Sequence, residues 1–125
     1  MYKINVKLLL KFIKNMAAKK GIWISYDLGL KGDYTGLYTW LDTVQAKECG
    51  DSFAFFQIED DGDLKQIIKK EIENNVSLNK SDRIYIIYPD EETGKTKGSF
   101  IYGGMKRASL EGYSIGSTNI KEDSV

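Results

Sequence analysis

Four short apolar runs along the chain predict four β-strands. They lie at residues 22–27, 52–58, 83–88 and 99–103, and turn-forming or polar segments bound them. The first run has apolar side chains at both odd and even positions, which is typical of a strand in the middle of a sheet. Pro89–Gly98 is polar and predicts a hairpin-like connection between the last two strands.

Two segments between these runs have the apolar spacing of helices that pack on a sheet. The first is expected to begin after an N-cap at Asp33 and to run to about Val44. Its apolar positions at i, i+3, i+4 and i+7 are Tyr34, Leu37, Tyr38 and Leu41. In the second, a capping box of Asp63 and Gln66 starts a helix whose expected core residues are Leu64, Ile67, Ile68 and Ile72.

The predicted element order is therefore β-α-β-α-β-β. Both helix stripes need the sheet to cover them, so both helices are expected on one face. This is an α+β, two-layer sandwich of ferredoxin-like type with a four-stranded, mainly antiparallel sheet. A chain of 125 residues has the length of one domain, expected at residues 21–117 with a flexible tail at 118–125.

Residues 1–20 differ from the rest of the chain. They hold six lysines and no acid, with one apolar helical stripe at Leu8, Leu9, Phe12, Ile13 and Met16. Two interpretations stand side by side. The segment is a basic amphipathic helix that docks on a partner or a membrane surface, or it is not native and the protein begins at Met16. The apolar run at residues 8–10 is too short for a transmembrane segment.

Charge and residue types narrow the function. Residues 21–125 have 12 basic and 18 acidic side chains, a net charge of −6. An acidic body opposes broad binding to phosphate backbones and suits a basic protein partner. The sequence has no histidine, which argues against zinc sites and Ser-His triads. The single cysteine, Cys49, excludes an internal disulfide, as expected of a cytoplasmic protein.

Asp27 is the main candidate for chemistry, because it follows a hydrophobic strand and precedes a glycine-containing loop. One interpretation makes it a ligand of magnesium or manganese, shared across the axis of a homodimer. The other makes it a structural residue that caps the loop or pairs with a lysine. No second acid stands at a spacing that completes a metal site, so the structural interpretation is preferred and no cofactor is expected.

Aromatic and acidic residues are the candidates for partner binding. Tyrosine is favoured at protein interfaces, and acids would face a basic partner. Tyr102 and Arg107 belong to a small basic-aromatic patch after the last strand. This patch either contacts RNA or a protein partner, or is a solvated segment without a binding role. The full set of candidate contact residues is Tyr34, Tyr38, Asp60, Asp61, Tyr102 and Arg107.

Roughly residues 21–103 resemble the ferredoxin-like family of small CRISPR-associated nucleases and their virulence-associated toxin relatives. The resemblance rests on Ile24–Leu28, Asp33–Tyr38 and Arg83–Ile87. It implies a metal-dependent endonuclease that acts as a homodimer, with magnesium or manganese bound at Asp27. The acidic body departs from that family, whose nucleic-acid surface is basic.

The chain is also similar to the small acidic immunity proteins of bacterial toxin systems, through its charge balance and its lack of a recognisable catalytic site. This similarity implies a non-catalytic cytoplasmic inhibitor that covers a basic, nuclease-like toxin domain. We take this as the main functional hypothesis, with the metal-dependent nuclease as the alternative.

Overall fold

The computed structural model describes residues 5–10, 19–60 and 62–106. These residues form an α+β fold in which five strands make one antiparallel sheet with the order β2-β3-β1-β4-β5. The strands are β1 (Lys20–Asp27), β2 (Lys47–Gly50), β3 (Phe53–Ile58), β4 (Arg83–Pro89) and β5 (Thr96–Tyr102). Residues 6–10 are helical and are labelled α1, and the two helices that follow β1 and β3 are α2 (Tyr34–Thr43) and α3 (Leu64–Asn75).

Strand β1 lies in the middle of the sheet, as its sequence predicts, and its side chains separate into two sets. Ile22, Ile24 and Tyr26 are buried beneath the helices, whereas the intervening residues point to the opposite face and are exposed. That opposite face carries two aromatic pairs, with ring centroids 4.7 Å apart for Trp23 and Phe55 and 4.9 Å apart for Tyr85 and Phe100. Helices α2 and α3 therefore cover one face of the sheet only.

The core forms between that covered face and the two helices. Helix α3 buries Leu64, Ile68 and Ile72, as predicted, whereas Ile67, which was also predicted to be a core residue, is only half-buried. Helix α2 buries Leu37, Trp40 and Leu41, so the prediction that Tyr38 belongs to its apolar stripe is wrong. Tyr38 is 52% exposed, because the buried side of α2 is formed by Leu37, Leu41 and the larger indole of Trp40. The indole ring packs edge-on against Phe56 at a centroid distance of 5.4 Å.

The prediction of four strands is wrong, because β2 adds a fifth. All four residues of β2 are exposed, and the strand lies at the edge of the sheet, so it has no hydrophobic pattern to reveal it. Strand β5 begins at Thr96, three residues before the predicted start at residue 99. Its first residues are polar and exposed, so they lack the apolar pattern on which the prediction relies. The polar connection before it shortens to a turn at residues 90–95, where the Asp90 carboxylate accepts hydrogen bonds from Thr93.

The ends of the chain are described only in part. Asn5 caps α1 by accepting a hydrogen bond from the amide of Leu8 at 3.2 Å, and residues 6–10 are exposed. The remaining residues of the predicted apolar stripe, the proposed start at Met16 and the predicted tail at 118–125 lie outside the described residues. Within the described ranges, no helix has both the length and the apolar character that crossing a membrane requires.

Candidate partner-binding cleft

A cleft of about 630 Å³ opens between α2 and the β2–β3 hairpin. Tyr26 and Tyr38 provide its aromatic surface. The charged side chains that line it within the described part of the chain are all acidic, namely Asp42, Glu48 and Asp51. We call this site the tyrosine cleft.

The aromatic side of the cleft follows from the end of β1 and the first turns of α2. Tyr34 and Tyr38 are four residues apart on the helix, so their rings are neighbours, with centroids 5.6 Å apart. Tyr38 also meets Tyr26 of β1 edge-on at a centroid distance of 6.1 Å. The Tyr34 hydroxyl accepts a hydrogen bond from the Leu28 amide at 3.2 Å, which holds the helix start against the strand end.

The acidic side of the cleft comes from the β2–β3 hairpin. Glu48 lies opposite Ala54 in the strand register, so both side chains point to the same face of the sheet. The small side chain of Ala54 leaves open space there. Ser52, in the turn, adopts φ = +56°, and its carbonyl accepts a hydrogen bond from the amide of Tyr26 at 3.1 Å. This hydrogen bond places the acidic hairpin beside the tyrosines.

Tyr26 is the most enclosed polar group of the cleft, with 6% of its surface exposed. Burial raises the pKa of its hydroxyl, and the nearby Tyr38 and Glu48 raise the pKa further because a second negative charge would be repelled. The phenol therefore keeps its proton throughout the physiological range. A neutral hydroxyl beside a carboxylate can donate or accept a hydrogen bond but cannot supply a positive charge.

The six predicted contact residues do not form one surface. Tyr38 lines the tyrosine cleft, and Tyr34 packs beside the Tyr38 ring without lining the cleft itself. Asp60 instead stabilises a turn, since its carboxylate accepts a hydrogen bond from the Gly62 amide at 2.9 Å. Tyr102 lies on β5, at the opposite edge of the sheet from β2, with Lys69 over its ring at 5.7 Å. Asp61 and Arg107 lie outside the described residues.

Asp27 lies at the end of β1, on the face of the sheet that the helices do not cover. Its carboxylate pairs with the Arg83 guanidinium at 2.9 Å and with the Lys106 ammonium at 3.8 Å. The hydrogen bond from Arg83 lowers the pKa of Asp27 below its ordinary value. No group of three or more Asp, Glu, Cys or His side chains that could hold a metal ion occurs within residues 5–10, 19–60 and 62–106.

Sequence reasoning missed the three acids of the tyrosine cleft. Asp42 lies on the exposed side of a helix, and Glu48 and Asp51 lie between the predicted end of that helix and the predicted strand at residues 52–58, where no element is predicted. The available signal was the acidic composition of the body, which does not say where the acids meet. Their convergence depends on the hairpin folding back over the end of β1.

Comparison of the chain with protein-family models, with curated proteins and with solved structures gives no match.

Proposed function

We propose that this chain is a non-catalytic bacterial protein-binding protein, of the immunity or antitoxin type, that inhibits a basic, nuclease-like toxin domain. The observation that carries the proposal is the tyrosine cleft, in which every charged lining residue of the described chain is acidic and the aromatic residues are the buried Tyr26 and the exposed Tyr38. Tyrosines supply contact area at interfaces, and acids steer a basic partner towards them.

The carboxylates of the cleft are available to such a partner. Asp42, Glu48 and Asp51 form no ion pair within the described part of the chain. Bringing a lysine or arginine of a partner to them therefore does not require any ion pair between described residues to be broken. The net charge of −6 over residues 21–125 also attracts a basic partner at long range.

We also propose a ferredoxin-like topology for the body. The order β2-β3-β1-β4, with one helix after β1 and another after β3, supports this assignment. In this description β5 is an added edge strand that pairs with β4. A fold of this kind hosts unrelated activities, so it does not by itself choose between the two functional hypotheses.

A neutralisation assay tests the proposed function. The toxin domain to be used is the basic product of a toxin-bearing gene beside this one, expressed in bacteria with and without the chain. We expect wild-type chain to restore growth, and Glu48→Lys to fail because it places a cation in the cleft. Glu92→Lys, an equal charge change on the exposed β4–β5 turn, should protect like wild type. Equal protection by both variants would show that the cleft does not take part in neutralising the toxin.

The alternative, a metal-dependent endonuclease that acts as a homodimer, is favoured by one observation. The Asp27 carboxylate is half-exposed at the end of β1, beside a small cavity that Ser25, Tyr85 and Phe100 also line. Magnesium or manganese would have to compete with Arg83 and Lys106 for this carboxylate. Cleavage of RNA or DNA that needs manganese, and that Asp27→Ala abolishes without unfolding the protein, would establish the alternative.

A further inference from the structure

We propose that the tyrosine cleft binds the side chain of an arginine, with its guanidinium held between the Glu48 carboxylate, the Tyr26 hydroxyl and the face of Tyr38. This inference rests on the proposed function, because it names the group that a basic partner inserts into the same site. It goes further in committing to one chemistry, a planar cation, rather than to acidic attraction in general.

The Tyr26 hydroxyl is the first reason. More than nine-tenths of the Tyr26 surface is buried, yet the residue lines the cleft. The Tyr38 hydroxyl lies close to the Tyr26 hydroxyl, and Glu48 and Tyr34 are the other titratable groups nearby. Because Tyr26 lines the cleft, its hydroxyl can donate a hydrogen bond to a ligand there or accept one from it.

The shape of the cationic ligand is the second reason. Tyr38 is 52% exposed and lines the cleft, so part of its ring surface is accessible beside the carboxylates. A guanidinium can stack on such a face and donate two parallel hydrogen bonds to a carboxylate, while still directing an N–H to a hydroxyl oxygen. An ammonium group is compact and strongly hydrated, so it cannot make the stacking contact and the paired hydrogen bonds together.

The size and rim of the cleft are the third reason. A volume of about 630 Å³ exceeds that of one side chain, so an arginine enters together with the neighbouring residues of its own protein. Asp42 is on the helix side and Asp51 is on the hairpin side, so further cations of a basic segment meet acids on both sides. Leu41 and Ala54 provide apolar surface for the methylene groups of the arginine.

An NMR titration with blocked amino acids tests the inference on the isolated chain. The probes are N-acetyl-arginine amide and N-acetyl-lysine amide, and the signals to follow are the backbone amides of Tyr26, Tyr38 and Ala54. We expect saturable shifts with the arginine probe and at least about fivefold weaker binding of the lysine probe. Equal affinity for the two probes, or shifts spread over the surface rather than at the cleft, would overturn the inference.

Two conservative variants separate recognition from folding. Tyr26→Phe removes one hydroxyl and Glu48→Gln removes one charge, and each should weaken arginine binding by about tenfold. Glu92→Gln is the control and should bind like wild type. Thermal unfolding of each variant verifies that it is folded, and a folded Glu48→Gln with unchanged affinity would contradict the proposal.

If arginine binding fails while toxin neutralisation still depends on Glu48, the inference alone is wrong. If arginine binds but no toxin is neutralised, the proposed function is wrong.

Discussion

At the scale of the residue, Asp33 shows how one carboxylate joins two parts of the fold. The sequence predicts it as the N-cap of α2, and it accepts a hydrogen bond from the Gly36 amide at 2.9 Å. It also accepts a hydrogen bond at 2.9 Å from the amide of Ser77, a residue that follows α3. The cap could be predicted because its partner is three residues away. The second bond could not, because it joins residues 44 positions apart.

Asp33→Ala should destabilise the protein more than Asp63→Ala. Asp63 caps only its own helix, at 3.4 Å from the Gln66 amide, whereas Asp33 also holds the segment after α3. We expect the lower Tm for Asp33→Ala in thermal unfolding followed by circular dichroism. An equal loss of Tm in both variants would mean that the bond to Ser77 contributes nothing.

The same carboxylate gives a pH dependence with a definite sign. The amides of Ser77 and Gly36 lower the pKa of Asp33, so its ionised form is favoured in the folded state. Its contribution to stability is complete above the ordinary aspartate pKa of about 4 and is lost as the pH falls through the lowered value. The difference in Tm between wild type and Asp33→Ala should therefore be constant near neutral pH and shrink in acid. A difference that grows in acid would contradict this assignment.

At the scale of the element, the apolar segments could be predicted and the polar ones could not. Strands β1, β3 and β4 and helices α2 and α3 have apolar patterns that packing against the sheet selects. Strand β2 has none, since all of its residues are exposed and its place in the sheet is fixed by pairing with β3. The tyrosine cleft depends on β2, and for that reason the sequence predicts only Tyr38 of its lining as a contact residue, and neither Tyr26 nor the acids.

Gly36 within α2 is a second feature that only the packing explains. Replacing glycine by alanine inside an exposed helix usually stabilises it by about 1 kcal/mol. Here a Cβ would lie 2.7 Å from the carbonyl oxygen of Asn75, at the end of α3, and also against the Asp33 carboxylate. We therefore expect Gly36→Ala to lower the free energy of unfolding in urea denaturation.

Thr39→Ala in the same helix is the matched control for this change. Thr39 is exposed, so its replacement should follow helix propensity and leave stability unchanged or slightly higher. If Gly36→Ala instead stabilised the protein as much as propensity predicts, the close approach of α2 to the end of α3 would be wrong.

At the scale of the whole molecule, the two layers and the charge distribution assign different roles to different surfaces. The helix-covered face of the sheet holds the core, and the opposite face holds exposed aromatic pairs and the Asp27–Arg83 ion pair. The tyrosine cleft lies at the β2 edge of the covered face, where α2 leaves the sheet open. The sequence predicts an acidic body, but only the folded chain shows three of its acids converging on tyrosines.

The affinity of the purified chain for the basic toxin domain, measured by calorimetric titration, tests the central claim most directly. Reversing the charge of Glu48 should weaken binding at least about tenfold, because a partner cation would then face a lysine in the cleft. Reversing the charge of Glu92 should leave the affinity within about twofold of wild type, since that residue lies on the distant β4–β5 turn. Equal Kd values for wild type and Glu48→Lys would contradict the claim that the tyrosine cleft is the partner-binding site.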